Sequence, residues 1–193
     1  KSMLVHYKRD YQIENISSEA IYHVLHGITT DIDKSFDQLN IKVYDEKNRP
    51  LKISSISIDK PRQKEFTTLF NEPIEKGQKG RHYTLEYEVE EPERYFENAF
   101  LVNCERFVVT IDYPAKMKVP VISEVNLETE EKKKSKTQLV VAKSGNGRCM
   151  AKWTKKDISP GIHLGQGRFF GRGRVEPAID KGGQHLDLRV DRL

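Results

Sequence analysis

Apolar and polar residues alternate with a period of two over much of this 193-residue chain. Tyr83, Leu85, Tyr87 and Val89 alternate with Thr84, Glu86, Glu88 and Glu90. A strand with one face on a core and the other in water needs that pattern. Phe107, Val109, Ile111 and Tyr113 repeat it, and Pro114 ends the run. Leu39, Ile41 and Val43 follow the same rule, as do Leu51 and Ile53, after which the parity shifts to Ile56 and Ile58. The intervening Ser54-Ser55 step reads as a bulge. The polar stretch 45–50 reads as a hairpin loop, and further strands are expected over residues 3–7, 11–16, 21–27, 64–70, 99–102, 119–127, 137–142 and 148–153. Turn signals recur about every ten residues, the spacing of a sandwich or barrel. Residues 31–39 and 92–96 could each form one helical turn, but neither holds a long 3.6-residue apolar stripe. A parallel α/β fold would need helical crossovers for which the chain has no room. The expected fold is therefore all-β: an antiparallel β-sandwich over residues 1–160 with a Gly/Arg-rich C-terminal extension over 161–193.

The extension is the least regular part. Residues 161–173 are rich in Gly and Arg without a strand period. Beyond Gly182-Gly183, the residues Leu186, Leu188 and Val190 alternate with His185, Asp187 and Arg189. This stretch reads either as one added strand or as a tail ordered by a neighbour.

Composition changes the picture little. Hydrophobic residues are 36% of the chain and charged residues 32%, yet the apolar ones gather in short runs, so a core is within reach. The formal charge of +4 is too small to demand a nucleic-acid partner. Cys104 and Cys149 form no close-spaced framework, and two free thiols in a reducing, cytoplasmic setting are expected. No run reaches the ~20 apolar residues of a membrane helix. The first ten residues carry no signal-peptide pattern, and the chain opens on Lys1 rather than Met, as a piece of a longer protein would.

The candidate chemistry is sparse. His23 and His26 would share a helix face, but three apart on a strand they point to opposite sides, and no third or fourth ligand is evident for zinc. Cys104 lies beside Glu105 and Arg106 with no base identifiable for a nucleophile, so a packed thiol is the expectation. Glu86, Glu88, Glu90, Glu91 and Glu93 read as the solvated side of a strand and its turn rather than as paired catalytic carboxylates. Ser144-Gly145-Asn146-Gly147 lacks a following Gly-Lys-Ser/Thr and suits a hairpin turn. Gly165-Gln166-Gly167 has no helix after it, as a dinucleotide loop would require. Trp153 is expected in the core. No catalytic, cofactor-binding or metal-binding residue is assigned. The one suggestive constellation is basic and aromatic. Arg168, Phe169, Phe170, Arg172 and Arg174, interleaved with glycine, could contact phosphates and stack on bases of a single strand, helped by Lys132, Lys133, Lys134 and Lys136.

Three stretches carry a resemblance: Tyr-Gln-Ile-Glu-Asn-Ile-Ser from Tyr11, Glu-Lys-Gly-Gln-Lys-Gly-Arg-His-Tyr-Thr-Leu-Glu-Tyr from Glu75, and Arg-Phe-Val-Val-Thr-Ile-Asp-Tyr-Pro from Arg106. Residues 11–114 resemble immunoglobulin-like or fibronectin-like sandwich modules, of the kind found as accessory domains in bacterial regulatory and defence proteins. Both cysteines precede Trp153, a departure from the antibody-type Cys…Trp…Cys order that speaks against a secreted immunoglobulin domain. With no convincing active-site pattern in the sequence, the expected role is a non-catalytic interaction or ligand-sensing module of a larger protein, working through loops at one sandwich end or through an edge strand. The loops at 29–37, 91–98 and 128–136 are the expected contact regions, with a protein partner or self-association first and a small ligand second. A nucleic-acid-binding protein is the alternative, and a hydrolase with a loop-borne carboxylate or cysteine site the second.

Overall fold

A computed structural model describes residues 3–15, 17–78, 80–92, 97–99, 104–117, 121–126, 132–137, 139–158, 162–166 and 183–192. Three sheets hold the described strands. The long one has seven strands in the order β11 (Val140–Gly145), β12 (Arg148–Ile158), β8 (Cys104–Pro114), β14 (Gly183–Arg192), β1 (Met3–Ile13), β6 (Arg81–Glu91), β3 (Lys42–Asp45). A three-stranded sheet runs β2 (Ile21–Thr29), β5 (Gln63–Ile74), β4 (Lys52–Lys60). A four-stranded sheet runs β10 (Lys132–Lys134), β9 (Ile122–Asn126), β13 (Ile162–Gln166), β7 (Glu97–Ala99). Every pairing is antiparallel except that of β14 with β8.

The two short sheets cover the two halves of the long one, giving the expected all-β sandwich. The His26 ring of β2 meets the edge of Tyr83 of β6 at 5.7 Å, and Phe70 of β5 meets the same ring at 5.9 Å. In the other half the Trp153 indole donates to Ser135 Oγ at 3.3 Å, and Lys155 pairs with Glu124 of β9. Trp153 is 1% exposed, as a lone tryptophan at a core parity should be. Among the described residues the only helical element is the single turn Asp37–Leu39, and no helix is long and apolar enough to cross a membrane.

Several local expectations are met. Asn146 and Gly147 take φ of 48° and 70°, the double left-handed turn that closes a tight hairpin, here between β11 and β12. The β4 register shifts between Ile53 and Ser55, where the serine pair predicts a bulge, and again between Ile56 and Ile58. Elsewhere the structure departs from the pattern. The turn at 45–50 starts as a hairpin, with the Leu51 N–H donating to the Val43 carbonyl at 2.8 Å, but β3 joins the long sheet and β4 the three-stranded one. The chain changes layer there. Residues 162–166 form an inner strand of the four-stranded sheet, although two apolar residues give too short an alternation to be seen in sequence. The lysine-rich segment at 132–134 is an edge strand paired to β9 rather than a free loop tip.

The strand β14 lies at the centre of the long sheet, between the N-terminal strand and β8. Its register places Leu186 between Arg9 and Val109, Leu188 between Tyr7 and Ile111, and Val190 beside Val5. Its apolar parity thus coincides with the core parity of both neighbours. No local pattern could announce that location, because it is set by two strands distant in sequence.

Candidate functional site

The edge strand of the long sheet, β11, is the most exposed regular structure among the described residues, and β10 ends the four-stranded sheet. All six residues of β11 are exposed, and the strand pairs on one side only, with β12. Val140 is 68% and Val141 43% exposed, and Met150 of β12 adds a further exposed apolar group. Cross-strand register puts Val140 opposite Lys152 and Ala142 opposite Met150, so these four share one face, while Val141 and Lys143 take the other. Just before β11, Ser135 ties the β10 edge to this side. Its N–H donates to the Ile122 carbonyl at 3.0 Å, its hydroxyl donates to Glu124 at 2.9 Å, and it accepts from Trp153. Lys134, Lys136, Lys143, Lys152 and Lys156 are all exposed, and none makes an ion pair among the described residues. The nearby Glu124 and Asp112 are already engaged by Lys155 and Arg148. The edge therefore combines unpaired backbone groups, an apolar strip and uncompensated positive charge.

The residues singled out in the sequence divide clearly. Lys132, Lys133 and Lys134 lie on β10, with Lys133, Lys134 and Lys136 exposed, whereas Arg168, Phe169, Phe170, Arg172 and Arg174 lie outside the described residues. His23 is exposed and His26 buried, on opposite faces of β2. Cys104 pairs with Ile158, and Cys149 with Tyr113, nine residues further along β8. In an extended strand that is roughly 30 Å, far beyond disulfide reach, and Cys149 is a free thiol. Glu86, Glu88 and Glu90 line the outer face of β6, where His6 approaches Glu88 at 2.9 Å and Lys34 approaches Glu90 at 2.8 Å. Glu93 is outside the described residues. No group of three His, Cys, Asp or Glu side chains converges on a metal position among the described residues.

Glu91 breaks that pattern: it falls on the core parity of β6 after Val89 and is 3% exposed. The Tyr7 hydroxyl donates to its Oε1 at 3.1 Å. Burial, then the neighbouring Asp31 carboxylate, push its pKa up to about 8. Two of the three expected contact loops thus touch, through Asp31 of the first and Glu91 at the start of the second. Deeper along the same strands, Arg9 takes a core parity on β1 between Tyr7 and Tyr11. Its guanidinium carbon lies 5.9 Å from the Tyr7 ring centre and 5.6 Å from that of Tyr87. Tyr7 stacks on Tyr87 at 4.8 Å and Tyr11 on Tyr83 at 4.6 Å. His26 stacks on Phe66 at 4.9 Å and shares a 2.9 Å hydrogen bond with the Thr68 hydroxyl. Burial, and then the Arg9 charge, hold its pKa down to about 3. The interior Arg9 and Glu91 were readable in principle, as charges standing where the alternation calls for apolar residues.

Compared with known proteins, the chain matches no family model, no curated protein and no solved structure.

Proposed function

We propose that this protein is a non-catalytic recognition module that adds an extended, acidic segment of a protein partner to the free edge of β11. The observation that carries the reading is that edge: six exposed residues, unpaired on one side, with Val140 and Val141 displayed and unpaired lysines around them. Strand addition draws affinity from main-chain hydrogen bonds and specificity from alternate side chains. The charge selects the partner, since five exposed lysines that make no ion pair among the described residues favour a segment rich in Asp and Glu. Lysines on an edge also discourage indiscriminate pairing of like copies, so the same residues that admit an acidic strand exclude self-association. On this reading the chain serves as an immunoglobulin-like accessory domain of a larger cytoplasmic protein of the bacterial regulatory or defence kind.

A nucleic-acid strand is the second reading. The unpaired lysines favour it, and Arg168, Phe169, Phe170, Arg172 and Arg174 would add phosphate and base contacts. Fluorescence anisotropy separates the two, using an alternating Glu-Val peptide, its Lys-Val counterpart and an oligo-dT strand as probes. The proposal expects the acidic peptide to bind, the basic one not to, and Val141→Pro to weaken binding by about tenfold or more by blocking the added strand. Oligo-dT binding with a steep salt dependence, unaffected by Val141→Pro, would replace the first reading by the second. Equal binding of both peptides would overturn it.

A further inference from the structure

Arg9 is a charge without a counter-charge. It is half-buried between the long sheet and the three-stranded one, and its Nε is enclosed with no acceptor. No carboxylate forms an ion pair with it among the described residues. Glu91, the buried acid of the same interior, is engaged by Tyr7 and influenced by Asp31. The groups that face the guanidinium are the rings and hydroxyls of Tyr7, Tyr11 and Tyr87, with His26 from the opposite sheet. None of them is an anion. Burial raises the pKa of Tyr7 and Tyr87, so these phenols stay protonated. His26 is held neutral by burial and by Arg9 itself. The Tyr11 and Tyr87 hydroxyls accept from the guanidinium and the ring faces stabilise it, but these neutral groups leave its Nε–H unfilled and its charge without an anion. A guanidinium withdrawn from water without an anion is costly, and such charges are ordinarily paired.

We propose that Arg9 anchors a binding site for a small oxyanion, the phosphate or carboxylate group of a small molecule, seated between the two sheets and flanked by Tyr7, Tyr11 and Tyr87. The guanidinium fork matches the two oxygens of either group in a bidentate pair. With the Tyr7 hydroxyl committed to Glu91, the Tyr11 and Tyr87 hydroxyls, which accept from the guanidinium, can donate to the remaining lone pairs, and the rings exclude water from the pair. The bound anion would complete an interior whose net positive charge is otherwise uncompensated. This site is separate from the β11 edge, and neither depends on the other.

Thermal unfolding of the native chain at constant ionic strength in sodium phosphate, sodium acetate and sodium chloride tests the site. Phosphate or acetate should raise Tm saturably above the chloride value, as a ligand that binds only the folded state does. The anion giving the larger rise at equal concentration identifies the group. Arg9→Met should abolish the rise while leaving unfolding cooperative, because it removes an unpaired charge from a half-buried position. Arg9→Lys should keep the charge, lose the fork and weaken the response on the order of tenfold. A second readout, should Arg9→Met not fold, is the Nε–H proton resonance of Arg9 in the native chain, which should shift saturably with the effective anion. Phosphate and acetate acting no differently from chloride would overturn the proposal. So would an undiminished response in Arg9→Met, or an Arg9 resonance that does not move.

Discussion

Beneath the three-stranded sheet, the inner face of the long sheet presents Tyr7, Arg9, Tyr11, Tyr83, Tyr87 and Glu91. Beneath the four-stranded sheet, it presents Phe107, Val109, Ile111, Ala151 and Trp153, all buried. The backbone frame is the same, since one continuous sheet underlies both halves. The filling is not. The apolar half is what burial alone would select, because each large apolar side chain withdrawn from water contributes on the order of 2 kcal/mol. The other half includes the Arg9 charge and the protonated Glu91 acid, whose burial opposes folding and is offset by ring stacking and by hydrogen bonds such as Tyr7 to Glu91. A fold tolerates such groups at a cost, which is the reason to look for ligand chemistry there and for stability in the other half.

The sharpest test of that division is a pair of substitutions. Trp153→Ala should cost about 3–5 kcal/mol in chemical denaturation followed by circular dichroism, the usual loss for a fully buried large aromatic. Arg9→Met, in the absence of anion, should change stability by less than about 1 kcal/mol or raise it, since an apolar side chain of similar length replaces an unpaired cation. Comparable losses in both variants would erase the distinction between the halves.

Titration distinguishes them next. Glu91 holds its proton in the folded chain up to about pH 8, against an ordinary carboxyl value of 4.5. Between those values the folded state binds the extra proton, so stability falls as pH rises, by roughly 1.4 kcal/mol per unit at most. His26 acts in the opposite sense, because its folded value of about 3 lies below the ordinary 6.5 and the unfolded chain binds the proton over that window. Its contribution is lost as pH falls from 6.5 towards 3. The two slopes offset one another between pH 4.5 and 6.5, leaving a plateau with a decline on each side. Glu91→Gln should flatten the decline between pH 6.5 and 8 and leave the acid arm in place. A decline above pH 6.5 of unchanged steepness in Glu91→Gln would place its origin outside this interior.

Much of this architecture was legible in the alternation, and the failures are instructive. Period-two runs such as Tyr83 to Val89 located β6, because a half-buried strand writes its two faces directly into the sequence. The Asn146-Gly147 turn was legible because left-handed backbone restricts residue choice. The layer change after Asp45 was not, since a hairpin and a sheet switch begin with the same turn residues. Nor was the central place of β14, which depends on register with Arg9 and Val109 rather than on anything local. Of the candidate site, the lysines of β10 were visible as a charge run, whereas the β11 edge was hidden. Val140 and Val141 read as ordinary strand residues, and only the sheet order reveals that nothing covers them.

The smallest expected effect sharpens that last distinction. Gly147 has φ of 70°, and a Cβ built there would meet no atom within 4 Å. The cost of Gly147→Ala is therefore conformational rather than steric, about 1 kcal/mol for a side chain held in the left-handed region. Where that loss is felt depends on what β11 does for the fold. The side chains of β11 are all exposed, so the strand contributes few core contacts, while β12 is anchored by Ala151, Trp153 and Ile158. Loosening the turn should therefore speed amide exchange along β11 and leave the β12 amides paired with β8 protected, because the two strands draw their stability from different neighbours. A loss approaching that of Trp153→Ala, with β12 exchanging alongside β11, would make the edge strand integral to the apolar half. The observed geometry favours the first outcome: β12 holds nine of its residues against β8 from Arg148 to Lys156 without interruption, and needs β11 for none of them.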